Sequence, residues 1–258
     1  MSLPERTAIL GFGYLGRALG EKLYESGCNI KAVKRRLTSD DINLPVCLTA
    51  ADLNDAAALD AVLAGWHDCT TWVCLLPPSS VTDYAGLMRR VADAADAAGV
   101  HHLVYGSSIG VYGSAARDCD EDSPLMPESE SAQQTAAAEN ALLNAAVPHI
   151  DILRLGGLYS AARHPLTALL RRQTAINGDE AACMLHQDRA VRAITAALSE
   201  PCGRRVRNLV ETPLRDKRTF YRAEAAKLGL PEPEFYPGGR GRRIGTRYRE
   251  FAALLHTD

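Results

Sequence analysis

Long hydrophobic runs are missing from this sequence of 258 residues. No stretch approaches the roughly 18 consecutive apolar residues that cross a bilayer, and residues 1–7 do not resemble a secretory signal. Aromatic residues are only 6% of the chain, yet hydrophobic residues reach 47%, which is typical of an ordinary globular protein. We therefore expect a soluble cytoplasmic protein with no membrane partner.

A cysteine framework and a strong net charge are also missing. The seven cysteines are scattered and form no C-x-x-C pair, so we expect neither disulfides nor a metal site. The formal net charge of −2 gives the chain as a whole no reason to bind nucleic acid. Basic residues do cluster locally, at Arg240, Arg242, Arg243, Arg247 and Arg249. We interpret this cluster as a solvated segment or a contact for an anionic substrate, and nucleic acid is the least favoured partner.

Short apolar runs alternate with helical stretches through the first two-thirds of the chain. The pattern predicts strands at 7–10, 30–33, 46–48, 71–76, 102–105, 150–153 and 208–210. It predicts a first helix that follows the glycines of residues 11–16 and ends at about residue 26, and further helices at 56–64, 84–98, 135–145 and 188–198. Such alternation is typical of parallel βαβ units. The fold class that it indicates is α/β, a Rossmann-like doubly wound parallel sheet with a small C-terminal substrate lobe.

The change of pattern after Arg154 suggests where this lobe begins. Residues 1–154 would form the dinucleotide-binding domain, and residues 187–211 would return to its sheet. Residues 155–186 and 212–258 would then form the substrate lobe.

A glycine-rich turn follows the first predicted strand and precedes the first helix. Its first glycine permits a tight turn, its second lets the backbone approach a pyrophosphate, and its third allows close packing of helix and strand. The helix N-terminus supplies free N–H groups to the phosphates. The predicted cofactor turn comprises Gly11, Phe12, Gly13, Tyr14, Leu15 and Gly16.

The end of the second strand indicates which dinucleotide binds. A site for NAD usually places a carboxylate there, whereas this chain has Lys34, Arg35 and Arg36. Guanidinium groups bind a 2′-phosphate, so we predict NADP(H), with Arg35 as the first choice of ligand. If the basic turn is merely solvated, NAD is the alternative. Further cofactor contacts are predicted from Asp52 and Leu53 at the adenine and from Leu76 and Pro77 along the cleft.

Three further segments complete an ordered set of motifs: 107–113 (Ser-Ser-Ile-Gly-Val-Tyr-Gly), 152–159 (Ile-Leu-Arg-Leu-Gly-Gly-Leu-Tyr) and 185–188 (Leu-His-Gln-Asp). Together with the glycine turn, the set resembles the extended short-chain dehydrogenase/reductase superfamily. The nearest part of it is the NAD-dependent epimerase/dehydratase group and, within that group, the atypical YeeZ-like subgroup. The resemblance implies that Ser107 borders the cofactor and that Ser108 takes the position of the catalytic hydroxyl.

The catalytic tyrosine and lysine of that superfamily are missing. In the superfamily a lysine four residues after the tyrosine lowers the pKa of the phenol. Those two positions fall on Ser131 and Thr135 here. No lysine occurs between Lys34 and Lys217, and no tyrosine between Tyr112 and Tyr159, so no other register restores the pair. The remaining candidates for the chemistry are Ser108, Tyr112 and Tyr159.

Three interpretations of function remain open. The first, favoured by the resemblance, is an oxidoreductase or epimerase with a non-standard active site, acting on a sugar-nucleotide-like or small carbonyl substrate. The second is a catalytically inactive dinucleotide-binding sensor or partner-binding module. The third is an enzyme that keeps the cofactor for structure and performs other chemistry in the small lobe. The resemblance also suggests a homodimer formed through the helices around 84–98 and 131–145.

Overall fold

The computed structural model describes residues 2–41 and 43–257. Its strands, numbered β1 to β13 in chain order, are Arg6–Leu10, Asn29–Lys34, Cys47–Ala50, Thr71–Cys74, His102–Ser108, Asp118–Cys119, His149–Leu155, Gly157–Tyr159, Ile176–Asn177, Met184–His186, Arg204–Leu209, Phe235–Tyr236 and Arg243–Ile244. Its helices, α1 to α8, are Tyr14–Glu25, Ala56–Ala64, Tyr84–Ala97, Glu130–Leu143, Pro165–Arg172, Gln187–Ser199, Lys217–Leu228 and Ala252–Leu255. None of the helices described is both long and apolar enough to cross a membrane.

Seven of the strands form one parallel sheet in the order β11-β7-β5-β4-β1-β2-β3. The order reverses between β1 and β4, which creates the crevice where open α/β sheets bind ligands. One apolar core lies between the sheet and the α2, α3 and α4 side, and the other lies beneath α1, α6 and α8. The predicted fold class, a Rossmann-like doubly wound sheet, is therefore confirmed.

Several element boundaries differ from those expected. The third strand occupies Cys47–Ala50 rather than 46–48. The strand expected at 208–210 is β11, Arg204–Leu209, which begins four residues earlier than expected. The fourth strand stops at Cys74 because the chain then turns towards Pro77, although the Leu75 N–H still donates to the Leu10 carbonyl at 2.8 Å. The helix α4 begins at Glu130, five residues before its expected start, with Ser129 as its N-cap.

The second half of the chain contains structure that the pattern did not predict. Helices α5 and α7 pack on each other around a small apolar cluster that includes Tyr159, Leu166 and Phe220. Two short parallel pairs, β8 with β10 and β9 with β12, frame this cluster. A third pair, β13 with β6, attaches the arginine-rich C-terminal segment to the loop after β5.

Candidate functional site

A large cavity lies at the carboxyl ends of β1, β2 and β4, beside the point where the strand order reverses. Its volume is about 760 Å³. Most of the predicted cofactor residues line it: Gly11, Phe12, Gly13, Tyr14, Leu15, Lys34, Arg35, Arg36, Leu53, Leu76 and Pro77. Gly16, Asp52 and Ser107 are not among its lining residues. We call it the dinucleotide cavity.

The three glycines of the turn serve different purposes. Gly11 has φ of +96°, and a Cβ on it would lie 2.7 Å from the Leu76 nitrogen. A Cβ on Gly16 would lie 2.2 Å from the Gly11 carbonyl oxygen. Gly13, by contrast, has no heavy atom within 4 Å of an added Cβ, so its free side faces open space. Gly11 and Gly16 are thus required by the fold, whereas Gly13 leaves room for a ligand.

The first helix presents a free N-terminus to this cavity. Helix α1 begins at Tyr14, and its N-cap residue, Gly13, provides no side-chain hydrogen bond to the exposed N–H groups. These donors and the positive end of the helix suit an anion. The open space at Gly13 lets a phosphate come close enough to use them. The residues present therefore fit the pyrophosphate of a dinucleotide.

Lys34, the last residue of β2, and the two arginines that follow it have different partners. Lys34 Nζ lies 2.7 Å from Asp41 Oδ2, and this ion pair, with Thr38 donating to the same carboxylate, lowers the pKa of Asp41 from 3.8 to about 2. The Arg35 guanidinium donates to the Ser80 carbonyl across the cavity. Arg36 forms no ion pair within the described part of the chain. Arg36 is thus available to an anionic ligand. Arg35 would bind such a ligand in place of the Ser80 carbonyl.

Asp52 is turned towards its own loop. Its Oδ1 accepts hydrogen bonds from the Asn54 backbone N–H at 3.1 Å and from Asn54 Nδ2 at 2.9 Å. The backbone hydrogen bond is the main reason why the pKa of Asp52 is lowered. Leu53, the next residue, is the one that lines the dinucleotide cavity.

A buried polar network lies behind the carboxyl end of β5. Ser107 donates to Glu139 Oε1 at 2.5 Å, and Arg154 holds the same carboxylate through Nε and Nη2. Arg154 Nη1 also donates to the Tyr112 hydroxyl at 2.7 Å, which itself donates to Asn208 Oδ1 at 2.9 Å. All five side chains are buried. Ser107 and Tyr112 thus connect α4, β5, β7 and β11 to one another.

The hydroxyl of Tyr159 is also engaged. It lies 3.0 Å from Glu211 Oε2, and burial beside that carboxylate raises its pKa far above the ordinary value. Its ring packs edge-on against His164, His186 and Phe220. Neither Tyr112 nor Tyr159 lines the dinucleotide cavity or the cavity that contains Ser108.

A second cavity, of about 460 Å³, adjoins the first, because Gly156 and Gly157 line the second and Leu158 lines the first. Ser108 lines this cavity, with its Oγ accepting the Gly110 N–H at 3.1 Å. Three charged residues also line it: Glu180, Lys217 and Arg242. We call it the substrate cavity.

Sequence reasoning missed Tyr221, which lines the substrate cavity from α7. Its side chain is buried, which raises the pKa of the phenol, and its hydroxyl makes no hydrogen bond to any residue that the structure describes. Lys217 stands one helical turn before it and is paired with Glu180. The spacing Lys-x-x-x-Tyr was visible in the sequence. It had no meaning until a helix was known to carry both residues.

The two positions of the missing catalytic pair carry no substitute. Thr135 is buried and donates its hydroxyl to the Ser131 carbonyl at 2.8 Å. Neither Ser131 nor Thr135 lines the substrate cavity. No group of three or more histidine, cysteine or acidic side chains in the described ranges is placed to hold a metal ion.

The arginine-rich segment is fastened to an acidic loop. Arg243 lies 3.5 Å from Asp118, and Arg247 pairs with Asp122. Arg242 donates to the Gly113 carbonyl and lines the substrate cavity. The segment is therefore ordered against the body of the protein, and one of its arginines reaches a cavity.

Known proteins share this sequence and fold. Residues 11–182 match the family model described as NAD(P)H-binding, and the chain belongs to that family. It is 28% identical over 255 residues to Protein YeeZ of Escherichia coli (strain K12), a match that covers 93% of this chain and 91% of that protein. The resemblance to the extended short-chain dehydrogenase/reductase superfamily and its YeeZ-like subgroup is confirmed.

Solved structures of low sequence identity share the fold. MoeE5 in complex with UDP-glucose and NAD has a TM-score of 0.75 at 23% identity, covering 97% of this chain and 92% of that chain. A short-chain dehydrogenase/reductase superfamily protein from Agrobacterium tumefaciens with bound NAD also has a TM-score of 0.75, at 21% identity, covering 97% and 91%.

Proposed function

We propose that this protein is an NADP(H)-dependent oxidoreductase or epimerase whose substrate is a sugar nucleotide or another anionic carbonyl compound. One observation carries the proposal. The open Gly13 turn, with the free N-terminus of α1, and the two arginines after β2 line a single cavity. That cavity offers one end suited to a pyrophosphate and another suited to a second phosphate.

The preference for NADP(H) over NAD rests on Arg35 and Arg36. Guanidinium groups hold a phosphate with paired, charge-assisted hydrogen bonds. A carboxylate at the end of β2 would instead repel a 2′-phosphate, and the dinucleotide cavity has no acidic residue among those that line it. Lys34 is already neutralised by Asp41, so we assign it a smaller part.

The substrate cavity supports the assignment of an anionic carbonyl substrate. Of its two cations, Lys217 is paired with Glu180, and Arg242 suits a phosphate or carboxylate; a bound nicotinamide would supply or accept a hydride at the border with the dinucleotide cavity. We assign to Ser108, which lines the same cavity, a hydrogen bond to the reacting oxygen. Tyr221 supplies a phenol that stays protonated at neutral pH and can therefore give a proton to a carbonyl as it is reduced. MoeE5, which has the same fold, binds UDP-glucose.

Tyr112 and Tyr159 have no catalytic part in this proposal. Their hydroxyls hold Asn208 and Glu211, respectively, and support the strand ends from behind. The second candidate function, a dinucleotide-dependent sensor without turnover, is favoured by one observation: α4 presents neither phenol nor ammonium where the superfamily has both.

The first experiment is a titration of the purified protein with NADPH and with NADH, followed by nicotinamide fluorescence and thermal stability. We expect NADPH to bind more tightly and to raise the melting temperature more. NADPH oxidation is then measured with UDP-sugars that carry a keto group and with simple ketones. Binding without turnover on any of these supports the sensor, and binding of neither nucleotide overturns both candidates.

The proposed homodimer is tested on the same preparation. Helices α3 and α4 pack side by side on one face of the sheet. A dimer through them would give twice the monomer mass of 27.8 kDa in sedimentation equilibrium.

A further inference from the structure

One cation in the dinucleotide cavity comes from outside the Rossmann-like sheet. Four basic residues line this cavity, and three of them, Lys34, Arg35 and Arg36, lie at the end of β2. The fourth is Arg163, from the loop between β8 and α5. Its Cζ lies 4.8 Å from the centroid of the Tyr14 ring, at the first residue of α1. Arg163 therefore stands beside the glycine turn, whereas the other three stand at the end of β2.

The guanidinium of Arg163 has no polar partner in the described part of the chain. It forms no ion pair or hydrogen bond with any residue in 2–41 or 43–257, although it contacts the Tyr14 ring. Its backbone, however, is fixed. Ser160 and Arg163 exchange two backbone hydrogen bonds, at 3.1 and 3.2 Å, and the Arg163 N–H also lies 3.3 Å from Ser160 Oγ. A free charged end on a fixed turn suits a ligand that arrives from solution.

The glycine turn itself has no cation for a pyrophosphate. Residues 11–16 carry no basic side chain. The next residue, Arg17, is paired with Glu21 at 2.9 Å and donates to the Asp40 carbonyl at 3.3 Å, so it is already engaged. The two negative charges of a pyrophosphate at the N-terminus of α1 would meet only backbone N–H groups from this segment. Arg163 is the side chain placed to balance that charge.

A second residue from outside the end of β2 also contacts Tyr14. Gln187, at the start of α6, donates through Nε2 to the Tyr14 carbonyl at 2.8 Å. Arg163 thus contacts the ring of Tyr14, and Gln187 contacts its carbonyl.

We infer that Arg163 binds the pyrophosphate of the dinucleotide and thereby attaches the loop after β8 to the bound cofactor. This inference rests on the proposed function, because it requires a dinucleotide at residues 11–16. It adds a division of labour among three of the four cations. Arg163 recognises the part that NAD and NADP share, and Arg35 and Arg36 recognise the 2′-phosphate that only NADP has.

The test separates the two phosphate sites with fragments of the cofactor. ADP-ribose carries the pyrophosphate without a 2′-phosphate, and 2′-AMP carries the 2′-phosphate without a pyrophosphate. We expect Arg163→Ala to weaken ADP-ribose, NADH and NADPH alike, by about 10- to 100-fold for a lost charge-assisted contact, and to leave 2′-AMP unchanged. Arg35→Ala should weaken 2′-AMP and NADPH and leave ADP-ribose unchanged. Calorimetric titration measures all four ligands.

Two further variants control for charge and geometry. Arg171→Ala removes one positive charge from the exposed surface of the neighbouring helix α5 and should change none of the affinities. Arg163→Lys keeps the charge but loses the planar pair of donors, so its affinity for ADP-ribose should lie between those of the wild type and Arg163→Ala.

The outcomes distinguish this inference from the proposed function. If the wild type binds ADP-ribose and Arg163→Ala binds it equally well, Arg163 does not contact the pyrophosphate and the inference is wrong while the cofactor site stands. If Arg163→Ala loses 2′-AMP as well, Arg163 acts on the cavity as a whole and the division of labour is wrong. If the wild type binds none of the four ligands, the proposed function and this inference both fall.

Discussion

Glu139 and Arg154 form a buried, two-point ion pair between α4 and β7. Arg154 Nε lies 3.0 Å from Glu139 Oε1, and Arg154 Nη2 lies 2.7 Å from Glu139 Oε2. The Arg154 side chain is only 6% exposed and the Glu139 side chain 2%. Glu139 stands two helical turns beyond Ser131, on the helix where the superfamily carries its catalytic pair. The ion pair thus fastens α4 to the sheet one helical turn beyond Thr135, the second position of the missing catalytic pair.

Removing one partner of this pair should be costly. Glu139→Ala leaves the Arg154 guanidinium buried and uncompensated, and we expect the free energy of unfolding to fall by about 3–5 kcal/mol. Denaturant unfolding at neutral pH measures it. Glu130→Ala, at the exposed first turn of the same helix, is the matched control and should cost less than about 1 kcal/mol. Equal losses in the two variants would contradict the account of the pair.

The glycine turn offers a second contrast between stability and binding. Gly13→Ala meets no neighbouring atom, so the unfolding free energy should change by less than about 1 kcal/mol. Its methyl group occupies the space that a pyrophosphate needs, and NADPH binding should be lost. Gly16→Ala, which forces Cβ to 2.2 Å from a backbone oxygen, should destabilise the fold by about 1–3 kcal/mol. A Gly13→Ala protein that still binds NADPH would place the cofactor elsewhere.

The sheet could be predicted from the sequence because its signals are local. The Gly11–Gly16 turn, the Pro77-Pro78 stop and the apolar runs all lie within a few residues of the structure they determine. Which groups a hydroxyl contacts, by contrast, is decided by residues far away in the sequence. Tyr112 is bonded to Arg154 and Asn208, which are 42 and 96 residues away, so no pattern near residue 112 indicates whether the phenol faces a cavity.

Helix α7 shows a signal that was present but weak. Its buried residues are only Phe220, Tyr221, Glu224 and Ala225, a narrow stripe in an otherwise polar segment. Its ends are nevertheless marked, because Asp216 caps the N-terminus and Gly229 adopts the left-handed conformation at the C-terminus. Those two residues at that spacing could have located the helix, and with it Tyr221.

The loop after β2 should lose stability in acid. Since the pKa of Asp41 is about 2 in the folded protein and 3.8 ordinarily, its carboxylate stabilises the fold above about pH 4, and this contribution fades as the pH falls towards 2. Asp41→Asn should therefore be less stable than the wild type near pH 7, and the gap should narrow steadily as the pH falls from about 4 towards 2. Asp40→Asn, on the exposed neighbour, serves as the control. A gap that stays constant across these pH values would mean that the ion pair with Lys34 is not its cause.

The arginine-rich segment should come loose when one carboxylate is removed. Glu121 accepts hydrogen bonds from the Asn208 N–H at 2.8 Å, the Thr246 hydroxyl at 2.7 Å and the Arg247 N–H at 3.0 Å. We expect Glu121→Ala to speed tryptic cleavage after Arg247 by about tenfold or more, because losing these bonds lowers the local opening free energy by about 1–3 kcal/mol. Asp122→Ala removes only an exposed ion pair and should cleave at nearly the wild-type rate. Unchanged cleavage in Glu121→Ala would show that other contacts hold the segment.

Tyr221 and Tyr112 should respond differently to the loss of a hydroxyl. If Tyr221 gives the proton to a substrate carbonyl, Tyr221→Phe should lower the rate of NADPH oxidation by about 10²- to 10⁴-fold with little change in NADPH affinity. Tyr112→Phe removes the hydroxyl that Arg154 Nη1 donates to and that donates to Asn208 Oδ1, so it should lower the unfolding free energy by about 1–3 kcal/mol and spare turnover in the folded fraction.

The pH dependence then tests the identity of the donor. Because burial raises the pKa of the Tyr221 phenol above 10.0, the group stays protonated through the neutral and mildly alkaline range. Carbonyl reduction should therefore keep its rate up to about pH 9, whereas alcohol oxidation, which needs the phenolate, should rise with pH over the same range. A reduction rate that falls with an apparent pKa near 6.5 would point to a histidine instead, and Tyr221 would then serve only to shape the cavity.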